Sequence, residues 1–362
     1  MIHKTESATS LFQPIDRSSF MRWFVTVLAV LLTVFAGPTA AQTSDETLVI
    51  GQIAEPKSLD PQTVTATNDF RILVNVFDGL VRFKRGTLEV EPALATDWTV
   101  SDDQLTYTFN LREDVTFHDG TPFDAEAVKF TFDRMLDPDH PQHDTGPFPL
   151  AFFFSMVEAV ETPDPMTVTF QLKEPFAPFL SNLAYPTGLI VSPSAVAESG
   201  QGFGRTPVGT GAFRFAEWTP DEAVTLARNA DYWDVPPSME TVVFRPIPDG
   251  AGRASDMLSG GIDIMADVPP ASLAAFRDNP NFVVYQQTGP HLWFLILNTR
   301  EGPFSDKRVR QAVNYAIDKE RLIEDVCRAP QTSPPAPFRP PSTGPMTVPS
   351  SLTRTIPRRR AS

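Results

Sequence analysis

Residues 92–135 read PALATDWTVSDDQLTYTFNLREDVTFHDGTPFDAEAVKFTFDRM. Leu105, Tyr107, Phe109 and Leu111 alternate with Thr106, Thr108 and Asn110. That period of two predicts a strand with one buried face. His118-Asp119-Gly120-Thr121-Pro122 is turn chemistry between a strand and a helix. Asp124 then reads as an N-cap, with Glu126 in the first helical turn. Val128, Phe132, Met135 and Leu136 fall at helical spacing and predict an amphipathic helix over 125–136.

The same alternation of types extends in both directions. Towards the N-terminus, TLVIGQI (47–53) reads as a buried strand, and Asn68 to Phe77 as a helix closed by Gly79. Towards the C-terminus, Met166, Val168, Phe170 and Leu172 repeat the period of two after the Asp164-Pro165 turn. Phe213 with Phe215, and Val224 with Leu226, predict two further strands. Arg253 to Leu258 is a predicted helix, stopped by Gly260-Gly261, and Ile262 to Met265 begins another strand. Phe282–Gln286 and Trp293–Leu297 read as strands. Ser305 is the expected cap of a helix with Val309, Ala312, Val313, Ala316 and Ile317 on one face, and Asp318 begins a second helix. The body is mixed α/β, without internal repeats.

Composition bounds what such a body does. The chain of 362 residues holds two or three domains' worth of material. Its 44 acidic and 30 basic residues leave a net charge of −14, which argues against a nucleic-acid partner. A hydrophobic fraction of 41 % supports a sizeable core. Cys327 is the single cysteine, which excludes an internal disulfide and a cysteine-based zinc cluster.

Both ends differ from this body. Met21-Arg22, an apolar run from Trp23 to Ala36, and the small residues before Gln42 form a secretory signal, with cleavage expected after Ala41. Residues 1–20 precede it as an extension. Residues 42–327 carry 21 basic and 42 acidic side chains, whereas 328–362 hold six arginines, nine prolines and no acid. The charge balance flips sign near Cys327.

Signatures of chemistry are weak. No GxSxG, HExxH or Walker loop occurs. His140 and His143 stand three apart among carboxylates, but the prolines around them point to a solvated loop rather than a metal site. Asp114, His118 and Asp119 are the one acid–base cluster, and a turn is the simpler reading. Catalytic residues, metals and cofactors are therefore not expected.

Several motifs share one origin. Leu94-Ala95-x-x-Trp98, Tyr107-Thr108-Phe109-x-Leu111-Arg112 and Phe117-His118-Asp119-Gly120-x-Pro122-Phe123 stand in order. Ser58-Leu59-Asp60-Pro61 precedes them, and Val208-Gly209-Thr210-Gly211 and Arg228-Asn229-x-Asp231-Tyr232-Trp233 follow. Gly261-x-Asp263-Ile264, Leu297-Asn298-Thr299 and the run Arg308 to Asp318 complete the set. Together, over 47–327, they resemble extracytoplasmic solute-binding proteins of family 5, which serve peptide, dipeptide and nickel ABC importers. Asp249-Gly250-Ala251-Gly252-Arg253 departs from that pattern, and its glycines are expected to loosen the helix start.

The resemblance implies an α/β, periplasmic-binding-protein-like fold (type II, cluster C-like) with two lobes, an inserted subdomain and an incomplete second lobe. Lobe I would comprise 46–84 and 205–288, the insertion 85–204, and lobe II would begin within 289–327. The expected function is solute capture between the lobes in the periplasm, as a monomer, with delivery to an inner-membrane ABC permease. Alternatives are a binding module for sensing or chaperoning, and a hydrolase. Thr65, Ala66 and Thr67 would face the ligand, Phe148 would present an aromatic from the insertion, and His291 and Phe294 would lie where the chain enters lobe II. No charged anchor stands at these positions. The resemblance also implies that 328–362 is an aberrant, disordered tail, which a shift of reading frame near Cys327–Arg328 explains. Without the rest of lobe II, apolar faces of 289–327 would forfeit on the order of 10 kcal/mol, so poor folding and no closure on ligand are expected of the chain as written.

Overall fold

A computed structural model describes residues 46–286 and 294–322. The signal segment, His291, Trp293 and the 328–362 tail lie outside the described residues. The chain divides at Thr47/Leu48 into two units, and the described sheets and helices, apart from Thr47 at the start of the first strand, belong to the second.

Eleven strands make up the described sheets. They are β1 (Thr47–Gln52), β2 (Val81–Phe83), β3 (Val90–Pro92), β4 (Ala95–Val100), β5 (Thr106–Leu111), β6 (Val157–Asp164), β7 (Thr167–Leu172), β8 (Phe213–Thr219), β9 (Ala223–Arg228), β10 (Thr241–Pro246) and β11 (Ile264–Met265). The first sheet has the order β11-β1-β10-β9-β8 and the second β4-β5-β7-β6, while β2 and β3 form a separate ribbon. β11 runs parallel to β1, with Ile50 opposite Ile264. The second sheet is antiparallel throughout.

Each sheet buries one face against a helix. In the first, Val242 lies opposite Leu226 and Phe244 opposite Val224, and all four are buried. They share a core with Phe70, Ile72, Leu73 and Val76 of helix α1 (Thr67–Val76). In the second, Tyr107, Phe109, Val168 and Phe170 share a core with Val128, Phe132 and Met135 of helix α2 (Ala125–Leu136). The Phe132 ring meets Phe170 and Phe154 edge-on, each with centroids 5.0 Å apart. Asp124 starts α2 as expected, its carboxylate accepting the Ala127 N–H at 3.0 Å.

The remaining helices are α3 (Phe179–Leu183), α4 (Pro193–Ser199), α5 (Gly250–Ser259), α6 (Leu273–Arg277), α7 (Lys307–Ala316) and α8 (Lys319–Leu322). Three expectations need correction. The glycines do not loosen α5: it begins at Gly250, because Asp249 accepts the Gly252 N–H at 2.6 Å. Asp306, not Ser305, caps α7, its carboxylate accepting the Arg308 N–H at 2.8 Å. Residues 282–286 and 294–297 are not strands. Val283, Tyr285, Phe294 and Ile296 are 75, 92, 73 and 87 % exposed. A strand needs a neighbour for its amides and a face for its side chains, and among the described residues these segments have neither.

Phe132→Ala is expected to destabilise the protein by about 3–5 kcal/mol, and Asp124→Ala by about 1 kcal/mol. Urea unfolding checks both. A near-neutral Phe132→Ala would mean that the second core is not packed around that ring.

Candidate functional site

The residues after β1 run into a buried ion pair. Asp60 stands in the Ser58-Leu59-Asp60-Pro61 turn, and Arg134 lies on α2 with its side chain fully buried. The guanidinium donates to both carboxylate oxygens, from Nη1 at 2.9 Å and from Nη2 at 3.0 Å. Nη2 also donates to the Gln62 side-chain oxygen at 2.6 Å. The Gln62 amide nitrogen in turn donates to the carbonyls of Thr187 (3.2 Å) and Leu189 (2.8 Å). Phe148 covers the outer side of the guanidinium, its ring centroid 5.4 Å from Arg134 Cζ.

That ring forms a wall of a cavity of about 430 Å³ lined by Met135, His143, Gly146, Pro147, Phe148 and Ala151. Phe148, expected from the sequence, is therefore at a cavity. His143, assigned to a solvated loop, is half-buried and shares it. Its Nδ1 lies 2.9 Å from the Arg134 carbonyl oxygen, while His140 Nδ1 accepts the Gln142 N–H at 3.2 Å. Among the described residues no group of three or more His, Cys, Asp or Glu side chains could hold a metal ion.

The other expected residues lie apart from this cavity. Ala66 is the N-cap of α1, its carbonyl accepting the N–H groups of Asp69 and Phe70 at 3.1 and 3.2 Å. Thr65 and Thr67 flank it, both exposed. No hydrogen bond or ring contact joins these three to Phe148 among the described residues. Phe294 is exposed, outside any helix or strand, and His291 lies outside the described residues.

A family model for bacterial extracellular solute-binding proteins, family 5 middle, matches residues 89–351. The chain belongs to this family. It is 34 % identical over 315 residues to di/tripeptide-binding protein 2 of Pseudomonas aeruginosa (strain UCBPP-PA14), covering 82 % of this chain and 59 % of that protein. It is 32 % identical over 319 residues to heme-binding protein A of Haemophilus influenzae, covering 83 and 58 % respectively. Among solved structures, the ABC transporter-associated periplasmic binding protein DppA from Helicobacter pylori, in complex with peptide STSA, superposes with a TM-score of 0.71 at 33 % identity, over 78 % of this chain and 58 % of that one. The fold is thus that of periplasmic binding proteins, and the chain spans somewhat under two thirds of the length of these relatives.

Two family motifs meet beside the end of α1. The His118 N–H donates to the Gly209 carbonyl at 2.8 Å. His118 Nε2 lies 2.9 Å from the Gly211 carbonyl oxygen, and since a carbonyl only accepts, Nε2 carries the hydrogen. Asn229 Nδ2 donates to the same oxygen at 3.0 Å. Glycine is required here: a Cβ at 209 would stand 2.2 Å from the Val76 carbonyl oxygen, and one at 211 would stand 2.5 Å from that of Asn75. Asp119 is engaged elsewhere, accepting from Thr121, Ser192 and Ser194. Among the described residues no hydrogen bond joins the Asp114, His118 and Asp119 side chains. His118 Nδ1 is buried and has no hydrogen-bond partner among the described residues. Burial lowers the imidazole pKa from 6.5 to about 4; Arg214 adds to the fall, while the Gly211 bond and Asp119 oppose it.

Sequence reasoning missed Arg134 and Gln62, and did not bring Met135 and His143 to this cavity. Asp60 was visible only as part of a motif, and its partner lies 74 positions away.

Asp60→Ala is expected to cost about 3–5 kcal/mol, because it leaves a buried guanidinium unpaired. The pair Asp60→Leu with Arg134→Met should recover much of that loss, read by urea unfolding, and a double change no better than the single one would count against the pair. His118 sets a pH dependence. The folded state holds it neutral down to about pH 4, while the unfolded chain protonates near 6.5. Its contribution is fully present above pH 6.5 and is lost as pH falls from 6.5 to 4. His118→Gln should flatten the stability-versus-pH slope in that window, and an unchanged slope would assign it to other groups.

Proposed function

We propose that this chain is the solute-capturing component of an ABC importer, exported to the periplasm and acting as a monomer. The observation that carries this reading is the family match over residues 89–351, alongside relatives named for peptide binding. In this reading 46–84 with 205–288 form lobe I, 85–204 are inserted, and lobe II begins near 289. The solute is a short peptide or a molecule of similar size. Its contacts include the exposed Thr65 and Thr67, the Ala66 backbone and Phe148, with His291 and Phe294 contributed from the other side.

Capture makes and breaks no bond, so no nucleophile or general base is needed. What it requires is a ligand that stabilises the closed state more than the open one. The permease then recognises the closed state.

The test is a thermal-shift titration with a panel of di- and tripeptides. A peptide present at about one hundred times its Kd contributes roughly 2.7 kcal/mol, a Tm rise of roughly 5 °C. Such a rise supports capture and overturns the expectation that the chain folds poorly and cannot close. A Tm unmoved by every peptide counts against the reading.

A further inference from the structure

The cavity beside Phe148 has a chemistry that the capture role does not specify. Met135, Gly146, Pro147, Phe148 and Ala151 bring no charged or hydrogen-bonding side chain to it. His143 is the exception. Its Nδ1 donates to the Arg134 carbonyl oxygen at 2.9 Å, because that oxygen can only accept. In the neutral imidazole the other nitrogen, Nε2, then holds a lone pair, and it has no hydrogen-bond partner among the described residues. In that form the one polar side-chain atom facing a ligand here is an acceptor.

Charge is screened from the cavity in the same way. The Arg134 guanidinium lies behind Phe148, 5.4 Å from its ring centroid, and Asp60 pairs with it through two hydrogen bonds. The ring thus backs onto an ion pair already matched. Its position depends on Gly146, since a Cβ there would lie 2.7 Å from two of the Phe148 ring atoms. Met135 adds a polarisable thioether suited to an aromatic partner. A volume of about 430 Å³ accommodates a substituted ring.

We propose that this cavity takes an aromatic group of the solute that bears one O–H or N–H donor, a phenol or an indole. The proposal rests on the capture reading above and names the part of the solute that this wall selects. The ring packs against Phe148 and Met135, and its donor meets His143 Nε2. A carboxylate is rejected because it faces a lone pair, and an ammonium because it loses hydration with no carboxylate lining the cavity.

The test uses the full chain at pH 8 and two probes that differ by one methyl on the phenol oxygen, p-cresol and p-methylanisole, titrated by ligand-observed NMR. The expected result is p-cresol binding at least fivefold tighter, with the difference erased in His143→Phe. Equal affinities in the unsubstituted chain overturn the proposal, and that comparison needs no variant. Undiminished p-cresol binding in His143→Phe overturns it too. Gly146→Ala, which displaces the Phe148 ring, should weaken both probes. Alanyl-alanine and alanyl-tyrosine separate the two levels of inference. Binding of both dipeptides with no gain for tyrosine overturns the cavity's role and leaves capture standing. Discrimination between the probes, with neither dipeptide bound, supports the cavity's donor preference and counts against capture.

Discussion

Two charges taken out of water hold together the parts of this protein on which its candidate site is built. Desolvating a guanidinium and a carboxylate costs several kcal/mol each, and only near-ideal geometry offsets it. Arg134 and Asp60 meet that condition with two parallel bonds, and Gln62 takes a further N–H. Because Gln62 also holds the carbonyls of Thr187 and Leu189, three distant segments converge on one fork. The turn after β1, the last turn of α2 and the 187–189 segment cannot move independently while it persists. The wall of the cavity belongs to the same arrangement, since Phe148 lies over the guanidinium and His143 hangs from the Arg134 carbonyl.

A second constraint acts at the end of α1. There Gly209 and Gly211 lie so close to the backbone of residues 75–76 that a Cβ at either position is excluded. Around it the backbone groups are used in both directions. Gly211 donates to the Val76 carbonyl at 2.9 Å and accepts from His118 and Asn229. Nearby, the half-buried Asp78 accepts from Tyr232 (3.0 Å), Trp233 (2.9 Å) and Thr210 (2.9 Å). Burial raises its pKa against those three donors. Tyr232 and Trp233 of that family motif thus clasp Asp78.

Local rules were legible to different depths. The alternation in β5 and β7 was readable because side-chain direction in a strand follows from the backbone alone. The Asp124 cap was equally visible, since its acceptor and donor lie three residues apart. The same rule, applied to Asp249, would have placed the start of α5 correctly despite the glycines. Residues 282–286 and 294–297 misled because apolar β-branched and aromatic runs state only a preference for a pleated, half-buried surface. That surface has to be supplied by another part of the chain.

Sequence by itself determined most of the element types, the acidic body and the family. These depend on neighbours a few residues apart or on motif order along the chain. The pairing of Asp60 with Arg134, the inward turn of His118 and the tautomer of His143 were decided only by the tertiary structure. Each depends on a group remote in sequence or on the absence of water, and neither leaves a mark on local periodicity. Electrostatics in a buried site is set by what surrounds a charge, and the surroundings exist only once the chain has folded.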